Sequence, residues 1–223
     1  MVGFFDSGIG GRCVLDAFRR LCPDEPTMYV ADTANCPYGN KPSEEVVRLS
    51  KRIAADLIAR GCDVVVVACN TATAAAIDTL RATWPDVPFV GMEPAVKPAA
   101  LGSKTGVVGV LATRGTFKGR LYRQTSARVA GNVKIIETVA DEFVTFVEKG
   151  ETDGAAVENA VRMRLEPLLA AGADRIVLGC THFPHLKTVM EKVADGRAMI
   201  VDPSDAVARH IRDVLGRTRG VRG

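Results

Sequence analysis

Two cysteines stand in matching contexts. The run Gly61-Cys62-Asp63-Val64-Val65-Val66-Val67-Ala68-Cys69-Asn70-Thr71 lines up with Gly172-Ala173-Asp174-Arg175-Ile176-Val177-Leu178-Gly179-Cys180-Thr181-His182, sharing glycine, aspartate, valine and cysteine at the same places. Each is an apolar, strand-like run that ends in a cysteine followed by polar residues. Helix N-terminal amides after such a strand would stabilise a thiolate and bring its pKa from about 8.5 towards neutrality, as a proton shuttle needs. If two halves face one another across a cleft, one thiol stands on each side of a single ligand. That arrangement suits inversion at a carbon: one base removes the α-proton of an amino acid, and the acid opposite returns a proton to the other face. Most free buried cysteines are inert core residues; the repeated context and the Asn, Thr and His flanks favour chemistry for this pair.

Other residues support the thiols. Asp6 and Ser7 end the first strand, and the glycine-rich residues 8–11 follow as a loop whose amides could approach an anionic ligand. Asp6 could orient an ammonium group, tune a thiol, or merely cap a helix. His182 could protonate or orient Cys180, or be structural; His185 and His210 lack a comparable context. Gly8-Ile9-Gly10-Gly11 fails the dinucleotide GxGxxG spacing because Cys13 stands where the last glycine belongs. No phosphate-binding lysine loop is present, and no lysine stands out at a strand end for pyridoxal chemistry, so no cofactor is expected. Metal binding is not expected either, since the sequence shows no three or four ligands at suitable spacing.

The elements that must position these groups follow from periodicity. Short apolar runs at 28–31, 64–68, 89–91, 105–111, 133–136, 175–178 and 199–201 predict strands, and longer amphipathic stretches between them predict helices, the clearest over 43–60 with Gly61 as its stop. Continuous apolar strands imply parallel pairing with helices on both faces. Residues 2–7 also pair with 108–113. The fold expected is α/β: two similar three-layer domains with mainly parallel sheets, related by internal duplication, with the active site in the cleft between them. Prolines after 89–91 and Asp202-Pro203-Ser204 mark the crossings, and a final helix over 205–215 returns to the first half. The domains are therefore 1–93 plus 204–223, and 94–203.

Composition narrows the class. A chain of 223 residues, 47% hydrophobic, can bury one sizeable core or two small ones. The net charge of +3 is spread along the chain. Its one basic cluster, Arg217, Arg219 and Arg222, reads as a solvated tail rather than a nucleic-acid contact, and 5% aromatic content leaves little for base stacking. The start of the sequence lacks a charged segment leading into a long apolar one, so neither a secretion signal nor a membrane span is expected. Six cysteines without paired spacing suggest a reducing cytoplasm.

Five motifs in order, Asp6-Ser7-Gly8-Ile9-Gly10-Gly11, Ala31-Asp32-Thr33, Pro37-Tyr38-Gly39, Ala68-Cys69-Asn70-Thr71-Ala72 and Leu178-Gly179-Cys180-Thr181-His182-Phe183-Pro184, resemble the glutamate racemases of the aspartate/glutamate racemase superfamily. Thr-His after the second cysteine resembles glutamate racemases; aspartate racemases usually carry Thr-Glu there. The resemblance implies a cofactor-independent two-base enzyme that supplies D-glutamate for peptidoglycan, with a homodimer left open. It makes Cys69 the base acting on D-glutamate and Cys180 the base acting on L-glutamate, assisted by Asp6 and His182. Substrate contacts would come from Ser7, Pro37, Tyr38, Gly39, Asn70, Thr71, Thr113, Thr116 and Thr181, largely as amide and hydroxyl donors. Glu148 resembles the family's acidic residue at the end of Val144-Thr145-Phe146-Val147-Glu148, and could equally be a solvated helix-end charge. Two departures bear on substrate choice: Ala140-Asp141-Glu142 replaces the usual Ala-Cys-Pro, and Asp202-Pro203-Ser204 the usual Asp-Ser-Gly. The chain is also short for the family. Rival expectations are a racemase of the same superfamily acting on aspartate or a hydantoin, and a non-catalytic module that binds an anion or a partner.

Overall fold

The computed structural model describes residues 1–220. Strand and helix alternate: β1 (Val2–Asp6), α1 (Arg12–Leu21), β2 (Thr27–Ala31), α2 (Ser43–Ala59), β3 (Val64–Val67), α3 (Asn70–Thr83), β4 (Phe89–Gly91) and α4 (Val96–Gly102) come first. Then follow β5 (Val107–Ala112), α5 (Arg114–Phe117), α6 (Arg120–Val129), β6 (Lys134–Val139), α7 (Glu142–Glu148), α8 (Ala155–Ala170), β7 (Arg175–Gly179), α9 (Lys187–Ala194), β8 (Met199–Val201) and α10 (Ser204–Gly220). They build two four-stranded sheets, ordered β2-β1-β3-β4 and β6-β5-β7-β8. Every pairing is parallel. Adding four to each strand number of the first sheet gives the second, as the internal repeat requires.

The valine run of β3 shows why these strands are central. All four residues are fully buried. Val65 and Val67 pack into the core shared with α2 and α3, while Val64 and Val66 face the opposite core with α1 and α10. Each side chain so buried contributes roughly 1.5–3 kcal/mol, and a strand apolar on both faces tolerates no solvent on either. Gly61 and Gly172, at equivalent places before β3 and β7, share the same left-handed φ of 86°. Glycine adopts that conformation without Cβ strain, which is how it ends a helix.

Differences from the sequence expectations have local causes. β6 continues to Val139, beyond the expected 136, because as an edge strand it keeps Lys134 and Glu137 exposed and its apolar pattern is broken. β5 starts at Val107, not 105, after a turn through Gly106 at φ 74°. The basic tail is not a frayed end up to residue 220: α10 runs to Gly220, and Arg219 makes two hydrogen bonds to Glu25 at 2.7 and 2.8 Å. Arg222 lies outside the described residues. Ala208, Ile211 and Leu215 of α10 share one apolar cluster with Val14, Leu15 and Phe18 of α1, so the last helix covers the first sheet. No helix among the described residues is long and apolar enough to cross a membrane.

Candidate active site

Each sheet reverses its winding between its two central strands, β1/β3 and β5/β7, and side chains just past the carboxyl ends of such strands converge on the ligand crevice of open α/β folds. Asp6 ends β1 and Ser7 follows it, Cys69 lies just past β3, Thr113 follows β5 and Cys180 follows β7. The two sheets turn these edges towards each other. One cavity is lined by Ser7, Pro37, Tyr38, Gly39, Cys69, Asn70, Thr71, Thr113, Val144, Cys180 and His182. Its volume is about 10 Å³, room for about one water. The cleft as it stands is therefore too small for a ligand of amino-acid size. A wider groove of about 750 Å³ lies among Ile77, Met92, Leu121 and His210, but neither cysteine lines it.

Cys69 is the N-cap of α3, where its sulfur accepts the Ala72 N–H at 3.4 Å. Its thiol donates to Ser7 Oγ at 3.6 Å, and the Ser7 hydroxyl donates to Asp6 Oδ1 at 3.4 Å. The expectation that helix amides would lower this thiol's pKa is not met. Burial pushes it up, the neighbouring Asp6 charge adds to the rise, and the amide bonds offset only part of it. Asp6 is itself fully buried, and desolvation raises its pKa despite His182 nearby and the Gly11 N–H that its Oδ2 accepts at 2.8 Å. Asp6 thus both holds the start of α1 and adjoins the thiol.

Cys180 is followed by a 3₁₀ turn over Phe183–Leu186, with α9 only beyond it, rather than by the α-helix N-terminus expected. Burial raises this thiol well above its ordinary pKa as well. Its Sγ lies 3.8 Å from His182 Nδ1, and His182 Nε2 lies 2.6 Å from Glu148 Oε1. Glu148 is therefore not a solvated helix-end charge. It accepts the Ile9 N–H at 2.8 Å, and the hydrogen bond from His182 holds its carboxyl below the usual range. The glycine loop explains the closeness: a Cβ on Gly8 would collide with Glu148, and one on Gly10 would stand 2.7 Å from the His182 backbone nitrogen. Two of the four loop amides expected to meet a substrate anion are spent on protein carboxylates, Ile9 on Glu148 and Gly11 on Asp6.

Of the expected substrate contacts, Thr116 and Thr181 do not line the cavity. Thr116 stands behind Thr113, in a hydroxyl chain from Thr71 to Thr113 (2.9 Å) to Thr116 (3.1 Å) to the Gly179 carbonyl (3.3 Å) that ties the two sheets together. Thr181 is buried, and its carbonyl accepts from Cys13 Sγ at 3.5 Å. Tyr38 lines the cavity, but its hydroxyl donates to Asp32 at 2.5 Å. Asn70 has both amide atoms buried without a partner, a cost of roughly 1–3 kcal/mol for each atom left unsatisfied. Val144 also lines the cavity; its apolar position in the segment leading to Glu148 was the available signal.

The two departures are structural. Asp141 Oδ1 accepts the Arg114 N–H at 3.1 Å, and Asp202 Oδ1 accepts the Ser204 N–H at 2.8 Å at the start of α10. Neither residue lines the cavity. Spacing gave no metal set, yet folding brings Cys36, Glu148 and His182 together with ligand atoms within 4.8 Å of one another.

Residues 12–211 match the Asp/Glu/Hydantoin racemase family model. The chain is 46% identical over 214 residues to glutamate racemase of Herpetosiphon aurantiacus, covering 96% of this chain and 84% of that one. It is similar to the structure of Escherichia coli glutamate racemase in complex with L-glutamate and the activator UDP-MurNAc-ala, with TM-score 0.87 and 36% identity over 96% of this chain and 82% of that one. The Francisella tularensis glutamate racemase bound to D-glutamate gives TM-score 0.84 at 27% identity, covering 98% and 81%. With the family match and the near-complete similarity to glutamate racemases agreeing, the chain belongs to the Asp/Glu/Hydantoin racemase family.

Proposed function

We propose that this protein interconverts L- and D-glutamate without a cofactor, using Cys69 and Cys180 as opposed acid/base groups. The observation that carries the reading is that two thiols from equivalent strand ends of duplicated sheets line one closed cavity, each with its own polar partner. Asp6 and Ser7 serve Cys69; His182, held by Glu148, serves Cys180. Burial keeps both thiols protonated at rest. The substrate's ammonium group brings positive charge into the cleft and so favours the thiolate that starts turnover. One sulfur takes the α-proton, and the opposite thiol delivers its own to the other face. The unpaired Asn70 amide and the hydroxyls of Ser7, Thr71 and Thr113 bind the substrate's polar groups, where contacts to charge are worth roughly 1.5–3 kcal/mol each.

The D-glutamate made in this way feeds peptidoglycan synthesis, in a reducing cytoplasm where the six cysteines, all free here, stay reduced. Racemisation in deuterated water tests the reading. Started from either enantiomer without pyridoxal phosphate or metal, the inverted product should carry solvent deuterium while recovered substrate stays largely protiated early on. Cys69→Ala and Cys180→Ala should each fold and abolish turnover in both directions. Retention of substrate hydrogen in inverted product, near-normal turnover in either variant, or a higher efficiency on aspartate would overturn the corresponding part of the assignment.

A further inference from the structure

Cys36 has no part in the proton transfers above, yet it stands beside the group that assists one of them. Its sulfur, Glu148 and His182 offer three ligand atoms within 4.8 Å of one another, drawn from the loop after β2, the end of α7 and the segment after β7. Thiolate, imidazole and carboxylate are the donor types zinc takes, at about 2.3, 2.0–2.1 and 2.0–2.2 Å. Tetrahedral angles at those bond lengths set the donors roughly 3.4–3.6 Å apart. The His182–Glu148 pair, now at 2.6 Å, would open slightly to admit an ion, and Cys36 would close on it.

Two further features suit an ion. Glu148 is already oriented by the Ile9 N–H at 2.8 Å, the kind of outer contact that fixes a ligating carboxylate. Cys36 and Glu148 are both partly exposed while His182 is buried, so an ion reaches the imidazole from outside without passing through the closed cavity.

We propose that Cys36, Glu148 and His182 form an inhibitory site for a borderline divalent cation such as zinc, which stops turnover by capturing His182. Metal on Nε2 leaves the ring proton on Nδ1, 3.8 Å from Cys180 Sγ. The ring can then donate to that sulfur but can neither accept its proton nor pass one to Glu148. Cys36 binds the ion as a thiolate, so its thiol proton leaves to solvent when the ion binds. Three protein ligands leave the fourth position to water, and a chelator with more donors reverses the binding.

The inhibitory effect rests on the racemase assignment; the site itself does not. In thiol-free buffer, Zn²⁺ titrated into the enzyme should inhibit racemisation with one-to-one stoichiometry and be reversed by EDTA. Cys36→Ser, referenced to its own metal-free rate, should need at least the roughly 10–100-fold more zinc that losing even an outer contact costs. Equal sensitivity of wild type and Cys36→Ser would overturn the site, since the ion would then be held elsewhere. Co²⁺ gives a readout that needs no activity: its thiolate charge-transfer absorption should appear in wild type and in Cys69→Ala and vanish in Cys36→Ser. Absence of the band in wild type, its loss in Cys69→Ala, or its survival in Cys36→Ser would refute the proposal. A protein that gives this band but does not racemise glutamate would keep the site and sink the function.

Discussion

Replacing Glu148 by glutamine isolates the charge behind His182. The amide oxygen can still accept from Ile9 and from a His182 N–H, so shape and hydrogen-bond count survive while the negative charge at 2.6 Å is removed. A hydrogen bond to a charged group is worth roughly 1.5–3 kcal/mol against 0.5–1.5 for a neutral one. The difference, about 1–1.5 kcal/mol, corresponds to a roughly 5- to 10-fold loss of kcat/KM. Glu148→Ala removes the bond altogether and strands the Ile9 N–H, for a loss of roughly 10- to 150-fold. Enantiomers have equal free energy, so kcat/KM must fall by the same factor in both directions. Isotope effects tell the directions apart. With Cys180 acting on L-glutamate, slowing its transfer should raise the α-deuterium effect for L-glutamate and lower it for D-glutamate. Chiral product analysis of both deuterated substrates measures this. An α-deuterium effect that rises for D-glutamate instead, or a Gln variant within twofold of wild type, would refute the coupling of Glu148 to Cys180. The same pair predicts a pH dependence. Because His182 holds the folded Glu148 pKa below its ordinary 4.5, the stabilisation is present above that pH and lost as pH falls through the folded value. The difference in Tm between wild type and Glu148→Gln should therefore be present at neutral pH and close in the acid range.

Gly10→Ala would set a Cβ 2.5 Å from His182 Nδ1 and 2.7 Å from its backbone nitrogen, and the backbone cannot give cheaply. It should lower stability by roughly 1–3 kcal/mol and reduce turnover. Gly131→Ala, where a Cβ meets nothing within 4 Å, should leave both unchanged, and equal Tm values for the two variants would contradict the close packing of the loop on His182. Asp6→Asn removes a buried carboxylate whose pKa desolvation raises, so thermal unfolding at neutral pH should show a gain in Tm while kcat falls, the exchange expected where a site is strained for function. A loss of Tm would mean that the charge, not the Gly11 contact, holds the loop.

The sequence by itself determined the repeat, the parallel α/β class and the two thiols, because each is written locally. The valine run of β3 and the aliphatic run of β7 are apolar on both faces, and a cysteine follows each, two residues beyond β3 and one beyond β7. Strand ends at β6 and the length of α10 were not legible, since an edge strand and a helix anchored by Arg219 on Glu25 take their patterns from distant neighbours. Motif resemblance named Asp6, His182 and Glu148 without deciding what they touch. Only the tertiary structure set Glu148 on His182 across 34 positions and on Ile9 across 139, and brought Cys36 beside them. It also reversed the expected direction of the thiol pKa values: a helix N-terminus can be read from sequence, but the desolvation that outweighs it depends on how completely the two sheets close over the sulfur.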